Sequence, residues 1–268
     1  MKNFPTFHLY DYKDKKCNFH SHTTRCKHAT GTEREYVENA IKAGFEVLGF
    51  SDHAPYLFED GHVSHIRMLM EELEGYVQTI EELKSEYKNE IQIFTGLEME
   101  YFPKLFDRTF AEIRKYPMDY LILGQHCFDD EVGFEYTGRR WEEEERLATY
   151  VDRVVTAIET GYFTYVAHPD IIHYVGDEKL YDKHMRKLTK MLKAHNMPIE
   201  SNVNGYGVKK QYPNKTFMKI GVQEGCDFII GVDAHSPEQM LDEENYQACM
   251  ELAESIGGTV FGNRSMKK

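Results

Sequence analysis

Short runs dense in β-branched and aromatic residues alternate with amphipathic stretches of roughly 12–22 residues through most of the chain. Seven runs read as strands: 17–20, 46–50, 91–98, 120–124, 162–167, 197–202 and 227–232. A helical stretch follows each. Thr32 and Glu35 have the spacing of a capping box at the head of the first helix, and Gly44 closes it. Further helices are predicted over about 68–88, 104–115, 141–160, 179–195 and 213–224. Ser236 and Pro237 read as the N-cap and first position of the last helix. Strand–helix units in series demand a parallel sheet, because parallel neighbours need a crossover. Closed on itself, that sheet is a barrel; left open, it is a doubly wound sheet. Periodicity is the same for both.

Length favours the barrel. At 268 residues the chain suits one α/β barrel domain. Its residues are 41% hydrophobic, enough for a core, and no run approaches the roughly 18 apolar residues of a membrane-spanning helix. The first sixteen residues have no secretory pattern, so the expected compartment is the cytoplasm. Lys plus Arg total 32 against 45 Asp plus Glu, a net charge of −13. No basic stripe is present, which disfavours nucleic acid as a partner. An anionic substrate would need bound cations to hold it. The five cysteines include no CxxC pair, so reduced thiols are expected, neither a disulfide framework nor a thiolate zinc knuckle.

The candidate chemistry lies where the strands end. His20, His22, His53, His126, His168 and His235 stand at or just past strand ends, with Asp52, Glu98 and Asp233 at the same level. Five of the seven strand ends carry histidine and a sixth carries Glu98. In α/β barrels the side chains that carry chemistry sit at this end, so residues distant in sequence would converge. His20-Ser21-His22 places two imidazoles on one side of an extended chain, and Asp233-Ala234-His235 does the same with a carboxylate and an imidazole. Each motif alone is weak; together they make a nitrogen and oxygen ligand set suited to Zn, Mn or Fe. There are more candidate ligands than one ion takes, so more than one ion is expected, with Glu98 able to bridge two. His62 and His65 read as surface loop histidines, and His173, His184 and His195 as residues in or beside helices. Glu142 to Glu145 read as a solvated helix face, and Trp141 as packing at a helix start.

The segments N-F-H-S-H-T, F-S-D-H-A-P, G-L-E-M-E-Y, G-Q-H-C, A-H-P-D and G-V-D-A-H-S, in this order, resemble the PHP (polymerase and histidinol phosphatase) superfamily. The resemblance runs from about residue 17 to 262 and is nearest the monofunctional histidinol-phosphatase branch. It implies a single-domain, distorted (β/α)7 TIM-like barrel with two to three divalent metal ions. His20, His22, Glu98 and Asp233 would hold one ion. Glu98 would bridge to a second held by His126 and His168, and His28, His53 and His235 would hold a third. Asp52, Glu98 and His235 are the implied catalytic residues, with Asp52 orienting an imidazole. The implied reaction is hydrolysis of a small phosphorylated substrate, L-histidinol phosphate first, by a hydroxide that the ions supply. Another small phosphomonoester, or nucleotides and nucleic-acid ends, are the alternative substrates. One departure concerns specificity. Family phosphatases often carry an arginine in the loop after the sixth strand, where this chain has Gly207, and some carry another past the fifth-strand histidine, where it has Tyr174. Arg25, Asn204, Lys209 and Lys210 are therefore the expected substrate-binding residues.

Overall fold

The alternation resolves into a ring of parallel strands wrapped by helices. The computed structural model describes residues 7–59 and 61–262. Its strands are β1 (Cys17–Asn18), β2 (Val47–His53), β3 (Gln92–Met99), β4 (Tyr120–Leu123), β5 (Arg140–Trp141), β6 (Tyr165–Val166), β7 (His173–Tyr174), β8 (Ile199–Asn202) and β9 (Phe228–Gly231). Its α-helices are α1 (Glu33–Lys42), α2 (Leu73–Glu86), α3 (Phe106–Ile113), α4 (Glu144–Glu159), α5 (Glu178–Ala194), α6 (Val203–Gly207), α7 (Lys215–Gln223) and α8 (Glu243–Ser255). Seven strands form one sheet in the order β1-β2-β3-β4-β6-β8-β9, and every pair is parallel. The ring closes just past the ends of β1 and β9. There Ser21 bridges Ala234, the His22 N–H donates to the Ala234 carbonyl at 2.9 Å, and the Asp233 N–H donates to the His20 carbonyl at 2.8 Å. Closure therefore stitches together the segments that carry four of the expected ligands. This is the distorted seven-stranded barrel expected, not the open sheet.

Parallel strands buried on both faces read as apolar runs, and every residue of β2 is buried. Tyr120 fills the barrel interior, donating its hydroxyl to the carbonyls of Phe19 (2.8 Å) and Phe50 (3.0 Å). Outside the ring, α2 buries Leu73, Tyr76, Val77, Ile80 and Leu83, one helical stripe. Each such side chain contributes roughly 1.5–3 kcal/mol on leaving water. The capping box of α1 forms as expected: Glu35 accepts from the Thr32 N–H at 2.7 Å and the Glu35 N–H donates to Thr32 Oγ1 at 3.3 Å. Gly44, at φ 76, ends the helix. Among the described residues no helix is long and apolar enough to cross a membrane.

Three local expectations are corrected. Ser236 and Pro237 open only a 3-10 turn, Pro237–Leu241; the long helix behind it is capped afresh by Asp242, whose side chain accepts from the Asn245 N–H at 3.1 Å. The helix expected from 141 begins only at Glu144: Trp141 lies before it in β5, although its ring does pack at the helix start, under Arg146 at 4.8 Å. His173 belongs to β7, which pairs with β5 in a separate two-stranded sheet. That small sheet ties the loop after β4 to the loop after β6.

Candidate metal centre

The ring delivers its polar strand ends to one place. His53 ends β2 and lies in register with Glu98 on β3. His126 and His168 follow β4 and β6, and Asp233 and His235 follow β9. Glu98 is the centre, 1% exposed. Its Oε1 lies 3.1 Å from His168 Nε2 and 3.6 Å from the Nε2 atoms of His20 and His126. Its Oε2 lies 3.0 Å from His53 Nδ1 and 3.7 Å from His22 Nε2. Asp233 Oδ1 stands 3.1 Å from His22 Nε2, 3.3 Å from His20 Nε2 and 3.6 Å from His235 Nδ1. His235 Nε2 faces His28 Nε2 at 3.1 Å. All nine expected ligands thus meet in one cluster. Gly124 is what lets Glu98 in, since a Cβ there would fall 1.8 Å from Glu98 Oε1. Asp233 (φ 56) and His168 (φ 29) hold left-handed backbone, the strain that functional sites sustain when their surroundings over-determine it.

The donors fit divalent cations. His20 Nε2, both ring nitrogens of His22 and both oxygens of Glu98 are buried without a hydrogen-bond partner. An orphaned buried polar atom costs about 1–3 kcal/mol, and a cation would satisfy these oxygens and nitrogens once the rings give up their protons. His22, His53 and His235 form one group with ligand atoms within 4.8 Å of each other; His20, His22 and Glu98 form another, and His20, His168 and Asp233 a third. Cys26 reaches the same distance from His28 and His235. Burial and the nearby Asp52 carboxylate push its thiol up to about 12, so in the metal-free protein it is neutral.

Around this cluster stands a shell of buried acids. Glu200 meets His20 Nδ1 at 3.0 Å and accepts from the His168 N–H at 3.1 Å and from Asn202 Nδ2 at 2.8 Å. Glu100 meets His126 Nδ1 at 3.2 Å. Arg67, itself 1% exposed, holds Glu100 at 2.8 Å and Glu131 at 2.6 Å. Asp52 accepts from the Thr23 hydroxyl and, at 2.7 Å, from the His53 N–H, and lies 3.6 Å from His22 Nδ1. Glu200 and Glu100 thus back ring nitrogens of His20 and His126, as carboxylates that orient imidazoles do, whereas Asp52 bonds the His53 backbone and stands 3.6 Å from the His22 ring.

Charge divides the imidazoles. Burial pulls His20 down, but Glu200, Asp233 and Glu98 override it and hold the ring well above its ordinary value. His22 goes the same way, raised to about 9 against burial by Asp233 and Asp52. Burial, reinforced by the neighbouring His22, lowers His235 to about 4 and holds His53 well below the usual range. Against burial, the surrounding imidazoles keep Glu98 and Asp233 well below the carboxylate range.

Of the residues expected to bind substrate, Asn204 lies at the cluster, its Nδ2 3.5 Å from Asp233 Oδ2. Arg25 is turned away: it pairs with Glu33, reaches Thr79 at 3.4 Å and covers the Tyr76 ring. Lys209 and Lys210 are exposed just beyond α6. His184 bonds to Glu144 on the helix before it, and His62, expected on the surface, is half-buried and bonds to Glu131 at the edge of the acid shell. Glu100, Glu200, Arg67 and Cys26 were not anticipated. Glu100 had a signal, two residues beyond Glu98 on the same extended chain. Glu200 had another, as the charged residue in an otherwise uncharged strand, I-E-S-N.

The PHP domain family model matches residues 18–204. The chain belongs to the PHP domain family. Two curated relatives of this PHP domain are both named probable histidinol-phosphatase. That of Deinococcus radiodurans is 27% identical over 94% of this chain and 98% of its own length. That of Schizosaccharomyces pombe is 23% identical over 82% and 81%. Among solved structures, histidinol phosphate phosphatase from Lactococcus lactis, complexed with zinc, L-histidinol and phosphate, superposes with a TM-score of 0.72 at 19% identity, covering 92% of this chain and 95% of that one. The putative histidinol phosphatase of Listeria monocytogenes gives 0.66 at 20% identity, covering 84% and 97%.

Proposed function

We propose that this PHP domain is a metal-dependent phosphomonoesterase whose substrate is L-histidinol phosphate. The observation that carries the reading is Glu98, one buried carboxylate with different imidazoles at each oxygen, as a residue shared between two cations would have. His20, His22, Glu98 and Asp233 would hold one ion, Glu98, His126 and His168 a second, and His28, His53 and His235 a third. Paired divalent ions activate water near neutral pH and neutralise phosphate oxygens. They also explain how a chain of net charge −13 admits a dianion. The protein's own part is to hold imidazoles in the metal-facing tautomer through Glu200, Glu100 and Asp52. Asn204 is placed to meet the substrate beside Asp233. Water attacks phosphorus, the bond to the ester oxygen breaks, and the alcohol and inorganic phosphate leave. The substrate rests on the names of the two relatives, which align with nearly the whole chain or four-fifths of it, and on the ligands of the Lactococcus protein. Five free, buried cysteines fit a reducing compartment, the cytoplasm.

The test is phosphate release from a panel of phosphomonoesters by protein whose metal content has been counted. Preference for L-histidinol phosphate supports the reading. Activity confined to other esters keeps the chemistry, discards the substrate, and points to the segment around Gly207.

A further inference from the structure

Two loops beside the cluster each bring a tyrosine. Tyr136 closes the excursion after β4: it bridges Cys127, and the next residue, Thr137, donates its N–H to the His126 carbonyl at 2.8 Å. Tyr212 follows α6. The segment around it is pinned on both sides, by Gln211 donating to the Ile171 carbonyl and by the Asn214 N–H donating to Asp170. Its ring packs against His168 with centroids 5.4 Å apart and is 6% exposed. Gly205 makes that seat possible, since a Cβ there would meet the Tyr212 ring at 2.3 Å. Tyr212 thus lies against one expected ligand, His168, and the Tyr136 backbone lies beside the residue that follows another, His126; burial first, and then the Asp233 and Glu98 carboxylates, raise both phenols and keep them protonated. Among the described residues neither hydroxyl has a hydrogen-bond partner.

Two phenols, free to donate, thus border a site that must grip an anion but lacks the expected arginines. On the family resemblance Gly207 and Tyr174 stand where arginines are expected; in the structure Arg25 is committed to Glu33, and Lys209 and Lys210 are exposed. Building on the phosphomonoesterase reading, we propose that Tyr212 and Tyr136 are the substrate-binding donors that grip the ester phosphate. A neutral hydroxyl donates to a phosphate oxygen and needs no carboxylate of its own, which suits a cluster whose carboxylates are engaged with imidazoles.

The experiment measures the affinity of the zinc-loaded protein for inorganic phosphate by titration calorimetry. It is paired with kcat/KM on a hydrolysed phosphomonoester, for wild type, Tyr212→Phe and Tyr136→Phe. Both variants keep the ring, and metal content and melting temperature are checked to stay at wild-type levels. Tyr212→Phe should weaken phosphate binding and lower kcat/KM by about 10- to 100-fold, the usual scale for a hydrogen bond to a charged group. Tyr136→Phe, whose ring is less buried, should show a smaller loss in the same direction. Phosphate affinity and kcat/KM unchanged in both variants, in an active wild type, overturn the tyrosine assignment alone. A zinc-loaded wild type that neither binds inorganic phosphate nor releases it from any ester overturns the phosphomonoesterase reading and this assignment with it.

Discussion

Glu200 holds the Nδ1 of His20 at 3.0 Å, and both side chains are shut away from solvent. The contact leaves Nε2 of His20 as the nitrogen aimed at Glu98 and Asp233. A carboxylate behind an imidazole fixes its tautomer and raises its basicity, typically at 10- to 100-fold in metal affinity. Glu200→Gln is nearly isosteric but loses the charge. Zinc affinity measured by chelator competition should fall by about that factor with the fold intact. Unchanged affinity would remove Glu200 from the account.

Arg67 carries a stability prediction. It is buried between Glu100 and Glu131 and donates to the Ala54 carbonyl at 3.2 Å. Removing one partner of a buried pair leaves uncompensated charge, at about 3–5 kcal/mol. Arg67→Leu should lose that much in urea unfolding. Lysine keeps the charge but not the planar fork, so Arg67→Lys should fall between leucine and wild type.

The pKa shifts set a proton count. Metal ligands must be deprotonated, so loading competes with protons. In metal-free protein at pH 7, His20 and His22 are raised and carry protons, whereas His53 and His235 are lowered and neutral. Zinc loading at pH 7 should release about two protons per chain, one from each of these raised rings, seen by calorimetry in buffers of different ionisation enthalpy. Release should shrink, and affinity rise, as pH climbs through about 9, the His22 value. No proton release at pH 7 would contradict the arrangement.

The backbone beneath Glu98 is equally testable. Gly124→Ala places a Cβ against Glu98 Oε1, so the carboxylate must move. A misplacement of about 1 Å can cost 10²-fold. The variant should lose bound metal and roughly that much activity, while far-ultraviolet circular dichroism is unchanged.

How much of this was legible is a matter of which residues leave a periodic trace. Strand ends do: His53, Glu98, His126, His168 and Asp233 each close an apolar run, and the structure joins them. His28 closes no run, and only the family resemblance pointed to it. Glu100 and Glu200 leave fainter traces: Glu100 lies just past β3, two residues beyond Glu98, and Glu200 is the lone charge of β8, so neither closes an apolar run. The β5–β7 sheet was invisible for a similar reason, since two-residue strands have no period. Ser236 heads a turn without a side-chain cap bond, its N–H donating instead to Gln239, and the turn stops where Asp242 caps the next helix. Charge and position single out Arg25, but Glu33, eight residues on, claims it.

The central claim is that the Glu98 cluster hydrolyses phosphate esters through bound cations. The most direct measurement is phosphate release from L-histidinol phosphate by chelator-stripped protein, before and after reloading with zinc or manganese, beside Asp233→Asn. Stripped protein should release none, reloaded protein should recover, and the folded variant should release none. Equal release from stripped protein, or full activity in Asp233→Asn with its metal retained, would contradict the claim.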